Sequence, residues 1–240
     1  FMITGFYVTT GWMHGMYDNV KNIETGSFIK KRFKSLGIPY LWFTLIILIF
    51  DIFYVLIGHF DTQILVRDIY KSFVLNGIGT LWFLPVLFIG ELLFVLTVKS
   101  KWCVWILTAG LLIFVLVSNL SVSIDNMNEP YRSLINSPYT VIRNSITAWL
   151  TISFTYFIVR NQRQIINQTN APRYLIPLGI VLSVGIFIIN LLSNEIHGIP
   201  HSLLSLVNLL TVWLEPLGIL LLLTGLGNFR NMVSDYFEYW

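Results

Sequence analysis

Residues 39–58 read PYLWFTLIILIFDIFYVLIG, an apolar run interrupted by a single carboxylate. At about 1.5 Å per residue, a helix of this length crosses the roughly 30 Å hydrocarbon core of a bilayer. A strand of a lipid-facing barrel would instead be about 10 residues long and would alternate polar and apolar side chains. The central letters LIILIF show no such alternation, so this stretch predicts a transmembrane helix.

The rest of the chain has the same character, with 55% hydrophobic and only 11% charged residues. A soluble domain carries roughly 25% charged residues, so the excess apolar surface is expected to face lipid. The pattern predicts an all-α, polytopic transmembrane helix bundle that forms one domain over residues 1–240. Loop 58–76 is long enough for a short surface helix. Besides 39–58, six apolar segments are predicted to span the membrane: residues 1–16, 77–98, 102–120, 140–159, 174–192 and 203–226.

The positive charges fix the predicted orientation. Counted over alternate loops, eleven Lys and Arg residues lie on one side of the seven spans and three on the other. Cytoplasmic loops carry the excess of Lys and Arg, so residues 17–38 are predicted to be cytoplasmic. The net charge of +3 is too weak and too scattered for a nucleic-acid partner. Cys103 is the single cysteine, so no disulfide framework exists.

Both ends of the sequence suggest a piece of a longer protein. The chain begins within an apolar segment without an initiator Met, and it ends on aromatic residues typical of a membrane interface. We therefore expect further spans outside residues 1–240.

Four residues of the Asp, Glu, Lys and Arg types fall within the apolar segments: Asp51, Glu91, Arg143 and Glu215. An ionised group at bilayer depth costs roughly 2.5 to 3.5 kcal/mol, so it should face the bundle or a wet cavity. We interpret Asp51 and Arg143 as structural. Two alternatives stay open for Glu91 and Glu215: a buried ion pair, for instance with Arg143, or a place in a substrate cavity.

A basic segment precedes Pro39. Lys30, Lys31, Arg32 and Lys34 place four cations within five residues. On charge alone, the favoured interpretation is a topology anchor that also meets anionic lipid. The alternative is a phosphate site for a nucleotide-type donor, in which an Arg fork and Lys point charges hold a diphosphate.

Three motifs occur in a characteristic order: FMITGF at residues 1–6, SFIKKRFKSLGIPY at 27–40 and GTLWFLP at 79–85. This order resembles the acyltransferase-3 family of bacterial membrane enzymes. Its members typically show a Phe-x-Ile-Ser-Gly-Phe-like helix, then a basic Lys/Arg-Arg-x-x-Arg-Leu-x-x-Pro-Tyr segment, then a Leu-Trp-Phe-Leu element. Each motif alone is short and apolar, so the order and spacing carry the resemblance.

The resemblance implies a ten-helix O-acetyltransferase-like enzyme of the bacterial inner membrane. Such an enzyme moves an acetyl or similar group from cytoplasmic acyl-CoA, a donor substrate rather than a permanently bound cofactor. The implied acceptor is a hydroxyl of a cell-envelope polysaccharide or a lipid-linked sugar. One span would precede residue 1 and about two would follow residue 240.

The resemblance also assigns site residues. Arg32 matches the family's first Arg and becomes the main acyl-CoA contact, with Lys30, Lys31 and Lys34 beside it. The family's second Arg falls at Ser35; Lys34 would have to substitute, without the bidentate fork of Arg. Four residues are candidates for a substrate cavity: Thr4, which stands in place of the family's Ser, Trp82 of the third motif, and Glu91 and Glu215, which are candidates because they are charged residues within apolar segments and not because of the resemblance.

The catalytic base is not assigned, because the family's His would lie upstream of Phe1. A His near its ordinary pKa of about 6.5 suits deprotonation of a hydroxyl. His14 is interpreted as a packing or interfacial residue and His59 as a solvated one. His197 and His201 have a spacing that might suggest a metal pair, but no Cys or third His lies nearby, so no metal is expected.

Two other functions remain as alternatives. A transporter or exporter could use Asp51, Glu91 and Glu215 as an ion path. Transporters typically show broken helices in two matching halves, and here Glu215-Pro216 is the one such feature. The third interpretation is a scaffold subunit of an envelope complex.

Overall fold

The computed structural model describes residues 2–17, 20–166, 172–195, 207–211, 213–214 and 216–226. Glu215, His197 and His201 lie outside the described residues, so the interpretations given to them stay predictions.

The described chain is helical throughout, with short turns between helices and no strands in the ranges just given, which confirms the all-α prediction. A 3-10 turn at Val20–Asn22 precedes α2, and a π-helical turn at Phe33–Gly37 joins α2 to α3. Residues 207–211, 213–214 and 216–226 are also helical. The longer helices are α1 (Met2–Tyr17), α2 (Thr25–Arg32), α3 (Ile38–Leu56), α4 (Thr62–Phe73), α5 (Phe83–Lys99), α6 (Cys103–Asp125), α7 (Tyr131–Ile166) and α8 (Pro172–Glu195).

Within the described residues, three helices are long and apolar enough to cross a membrane: Thr25–Leu56, Cys103–Asp125 and Val207–Leu226. A shorter apolar helix covers Tyr174–Ile186. The other predicted spans also fall on helices, α1, α5 and α7. The chain is therefore a multi-pass membrane protein.

Some predicted boundaries were wrong. The span predicted at 77–98 begins later, at Phe83, because turns occupy residues 77–82. Gly77 and Gly79 have φ values of +63° and +59°, a region that glycine enters without steric cost. A Cβ at Gly77 would lie 2.5 Å from the backbone nitrogen of Trp82. Hydropathy alone does not detect such a turn, because its neighbours are apolar. The short helix expected in loop 58–76 is present as α4.

The region predicted as a cytoplasmic loop is largely helical. Thr25–Leu56 forms one helix of 32 residues, about 48 Å long at about 1.5 Å per residue. Pro39 would ordinarily remove a hydrogen bond and clash with the carbonyl four residues earlier. Here the Ile38 N–H donates to the Phe33 carbonyl, five residues back. This widened turn directly before Pro39 lets the helix continue.

The chain divides into two compact units, residues 1–19 with 151–240, and residues 20–150. In the first unit, α1 packs closely on α7 through Gly11 and Gly15. A Cβ at Gly11 would lie 2.5 Å from the Ile152 carbonyl oxygen, and one at Gly15 would lie 2.8 Å from Val159 Cβ. Glycines four residues apart let two membrane helices approach this closely. A cluster of buried apolar residues completes this unit: Val8, Trp12, Val159, Leu175, Leu217 and Leu221.

In the second unit, α4 packs against α3 through polar residues. The buried residues of α3 are Tyr40, Thr44 and Asp51, and that of α4 is Asp68. The Tyr40 hydroxyl donates a hydrogen bond of 2.8 Å to the Ser72 carbonyl. We call these five residues the polar seam. The apolar side chains of α3 point outward, as expected for a lipid-facing helix.

Candidate functional site

The centre of the candidate site is an ion pair between α2 and α5. Arg32 Nε lies 2.8 Å from Glu91 Oε2, and the side chains are 33% and 1% exposed, respectively. Oε2 has no hydrogen bond of regular geometry, so the Nε–H bond is not aimed at it. The contact is therefore an ion pair rather than an aligned hydrogen bond. It brings together a residue predicted to bind the donor and one predicted to line the substrate cavity.

The sequence did not reveal this pairing. The partner considered for Glu91 was Arg143, but Arg143 is exposed and the ion pair is with Arg32. The two residues are far apart in the sequence, and which side chains meet depends on the register of two antiparallel helices. Hydropathy patterns indicate that helices exist, but they do not specify that register.

Aromatic residues hold α2 against α5 near the ion pair. Phe28 is buried one turn before Arg32, and the Arg32 Cζ atom lies 5.6 Å from the centre of its ring. This is within the range of a cation–π interaction. The rings of Phe33 and Phe88 meet edge to face at 6.4 Å. The Arg32 side chain is thus restrained by its own helix as well as by α5.

Lys99 joins the other end of the same pair of helices. Its ammonium donates to the Thr25 hydroxyl at 2.9 Å and to the Ile23 carbonyl. Thr25 begins α2 and Lys99 ends α5. Contacts at Lys99, Glu91 and Phe88 therefore fix the antiparallel register of α5 along α2.

The three lysines of the basic segment have a different environment. Lys30, Lys31 and Lys34 are exposed, whereas Arg32 is half-buried. Residues four apart share a helix face, so Phe28 and Arg32 lie on one face, while Lys30 and Lys34 lie on a roughly opposite one. The four cations do not form one compact cluster, and the assignment of the lysines to the donor site stays a prediction.

Ser35 stands where the motif resemblance predicts a second Arg. Its hydroxyl donates a hydrogen bond of 3.2 Å to the Arg32 carbonyl. The turn is crowded nearby, because a Cβ at Gly37 would lie 2.6 Å from Cδ2 of the Phe33 ring. Arg32 is therefore the one guanidinium in this part of the long helix.

Contacts with α6 and α7 fix the position of α5. The Trp149 indole N–H donates a buried hydrogen bond of 3.0 Å to the Thr97 hydroxyl. A Cβ at Gly90 would lie 2.7 Å from Ala148 Cβ, and one at Gly110 would lie 2.5 Å from the Trp149 ring. Because Gly90 directly precedes Glu91, this close approach of α5 to α7 lies next to the ion pair in the sequence of α5.

Two further described residues were predicted to line the cavity, Thr4 and Trp82. Thr4 is half-buried in α1, which belongs to the first compact unit, and Trp82 is half-buried at the end of the turn before α5. Their roles stay predictions, as does that of Glu215. Of the histidines, His14 is half-buried in α1 and His59 is exposed beside the Tyr54 ring. The described residues contain no group of three or more His, Cys, Asp or Glu that could hold a metal ion.

Comparison with known protein families gives a match. The model of the acyltransferase-3 family, described as an acyltransferase domain, matches residues 1–237. No curated protein and no solved structure matches the chain.

Proposed function

We propose that this chain, which belongs to the acyltransferase-3 family and is a membrane acyltransferase, takes its acyl group from acyl-CoA and transfers it to a hydroxyl of a cell-envelope glycan. Family membership confirms the resemblance seen in the motifs. It favours an enzyme over the transporter and the scaffold subunit considered above. A membrane acyltransferase needs an acyl donor and an acceptor, and the proposal concerns which molecules these are.

The donor proposal rests on the partial exposure of Arg32 and on the atom through which Arg32 contacts Glu91. Its side chain is 33% exposed, and its ion pair with Glu91 is made through Nε. A guanidinium has five N–H donors in a planar fork, so a contact at Nε leaves outer N–H groups for another partner. CoA carries a diphosphate and a further phosphate, which are the groups that such a fork binds.

The proposed location follows from the charges. The basic helix around Arg32 lies on the side with the excess of Lys and Arg, which the positive-inside rule assigns to the cytoplasm. Acyl-CoA is a cytoplasmic metabolite, so donor and site would meet on one side of a bacterial inner membrane. Lys30, Lys31 and Lys34, which are exposed, would add point charges that attract the phosphates or the anionic lipid surface.

The proposed reaction is a simple exchange of acyl carriers. The acceptor oxygen attacks the thioester carbonyl, an ester C–O bond forms, the C–S bond breaks, and the hydroxyl proton ends on the CoA thiol. A general base is required to take that proton. No described residue is assigned this role. The proposal of a glycan acceptor rests on the family resemblance, with Thr4 and Trp82 as candidate contacts.

The test uses membranes from cells that express the whole open reading frame. Radiolabelled acetyl-CoA is supplied, and label is followed into envelope polysaccharide and lipid-linked sugar fractions. We expect wild-type membranes to label one fraction and Arg32→Ala membranes to lose most of that label. Arg132→Ala is the matched control, since it removes another paired arginine, exposed and 3.1 Å from Asp125. Equal label from Arg32→Ala and wild type, or no label from wild type across the acceptor panel, would contradict the proposal.

A further inference from the structure

We infer that Glu91 is a positioning residue for the donor site: it holds the Arg32 guanidinium at Nε so that the outer N–H groups face the donor phosphate. This inference rests on the proposed function, because it assumes that Arg32 contacts the donor. Glu91 itself is not proposed to touch substrate.

Burial of the charged Glu91 carboxylate costs free energy. Its side chain is 1% exposed in a helix that is otherwise almost wholly apolar. Among the described residues, Arg32 is the cation within 4 Å of its carboxylate. Apolar side chains of similar volume often stabilise a protein as well as a buried ion pair does, or better. Stability alone therefore does not explain why an ion pair occupies this position. Orientation of the Arg32 side chain does explain it.

The guanidinium is restrained on two sides. Glu91 contacts it at Nε, and the Phe28 ring lies 5.6 Å from its Cζ atom. A free arginine side chain loses considerable rotamer entropy when it binds a phosphate. Here much of that freedom is already lost before the donor arrives, and such preorganisation raises affinity.

Contacts of α5 with α7 and with the start of α2 fix the position of Glu91. On one side, Gly90 allows α5 to approach α7 closely at Ala148. Further along the helix, Trp149 donates to Thr97, and Lys99 donates to Thr25 at the start of α2. The Lys99–Thr25 contact joins α5 to α2, and the contacts with α7 hold α5 itself in place. In this register the Glu91 carboxylate lies 2.8 Å from Arg32 Nε.

The chemistry of both partners is specific. A planar guanidinium can contact a carboxylate along one edge and a phosphate along another, whereas the ammonium of Lys is a point charge without this division. Glu91→Asp would keep the negative charge but place the carboxylate one methylene group farther from Arg32. Gln would keep the shape and lose the charge. These substitutions therefore separate packing, charge and reach.

The experiment measures KM for acetyl-CoA, KM for the acceptor and kcat in membranes, with the melting temperature of the detergent-solubilised protein as a measure of folding. For Glu91→Gln we expect KM for acetyl-CoA to rise about tenfold, as about 1.4 kcal/mol of lost binding would produce, with the acceptor KM unchanged. Glu91→Asp should fall between Gln and wild type. Asp125→Asn is the matched control, because it removes the carboxylate of the exposed Arg132 pair and should change neither KM.

A second variant separates positioning from folding. Arg32→Glu combined with Glu91→Arg keeps opposite charges on α2 and α5, so it should recover the melting temperature lost by either single reversal. It should not recover KM for acetyl-CoA, because the cation then projects from the buried position. Full recovery of both quantities would overturn the inference and make the pair purely structural. An unchanged KM for acetyl-CoA in Glu91→Gln would overturn it as well.

The same measurements distinguish the two proposals. If Arg32→Ala leaves KM for acetyl-CoA unchanged, then the proposed donor contact is wrong and the inference about Glu91 falls with it. If Arg32→Ala raises that KM and Glu91→Gln does not, the donor contact stands and the positioning role alone is wrong.

Discussion

The Lys99 ammonium lies 2.9 Å from the Thr25 hydroxyl, which fixes the last residue of α5 against the first residue of α2. The same ammonium also donates to the Ile23 carbonyl. One side chain thus satisfies two oxygen atoms at the start of the long helix that carries Arg32.

We expect Lys99→Ala to lower the free energy of unfolding by about 1.5 to 3 kcal/mol, the range for hydrogen bonds made by a charged group. The measurement is denaturant or thermal unfolding in detergent. Lys101→Ala is the control, because Lys101 is exposed two residues later. Similar losses in both variants would show that general charge, rather than the contact with Thr25, stabilises the protein.

The close approach of α1 to α7 predicts a large difference between two glycines of one helix. Gly11→Ala places a Cβ 2.5 Å from the Ile152 carbonyl oxygen and should destabilise the protein by about 1 to 3 kcal/mol, as overpacking does. Gly5→Ala meets nothing within 4 Å and should be neutral or slightly stabilising, since Ala is the better helix former. Melting temperatures of the two variants in the same detergent give the comparison, and equal values would contradict the packing described for α1.

The polar seam gives a third prediction. Tyr40→Phe removes the hydrogen bond to the Ser72 carbonyl and should cost about 0.5 to 1.5 kcal/mol of stability. It should also loosen α4, seen as faster hydrogen exchange of α4 amides. Tyr54→Phe on the same helix is the control, because Tyr54 is exposed and its neighbours are the rings of Phe53, His59 and Phe60. Faster exchange in both variants would argue against a role for the seam.

The separation of Arg32 from the lysines predicts two classes of donor-site variant. Arg32→Lys keeps the charge but loses the fork, so KM for acetyl-CoA should rise about tenfold at any salt concentration. Lys30→Ala and Lys34→Ala remove exposed charges, whose interactions are worth about 0 to 1 kcal/mol and are screened by salt. Their effects should be at most about fivefold and should shrink as salt is added. A salt-independent loss in Lys34→Ala would instead place that lysine in direct contact with the donor.

The sequence predicted the existence of the helices more reliably than their ends and partners. The apolar run at 39–58 becomes α3, because length and lack of alternation are properties of the segment itself. The turn at 77–82 was missed, because it depends on the φ angles of Gly77 and Gly79. The Arg32–Glu91 pair was missed because it depends on helix register.

Two features of the candidate site had a partial signal in the sequence. Pro39 indicated a helix start, yet the helix begins at Thr25 and passes through Pro39 by way of the π-helical turn. The family motif directed attention to Arg32 but gave no reason for its orientation. The orientation comes from Phe28 and Glu91, whereas the sequence alone is compatible with both a buried pair and a cavity role for Glu91.

The π-helical turn at Phe33–Gly37 changes the direction in which side chains of the long helix point before and after the turn. A π turn inserts one residue beyond a regular α-helix, and each residue advances an α-helix by about 100°. Residues on the two sides of the turn are therefore rotated relative to each other by about that angle. This rotation lets one helix present Arg32 to α5 on one side of the turn and Tyr40 to α4 on the other. The same residues wound as an uninterrupted α-helix would keep every functional side chain and yet turn Arg32 by about 100° relative to Tyr40, away from Glu91.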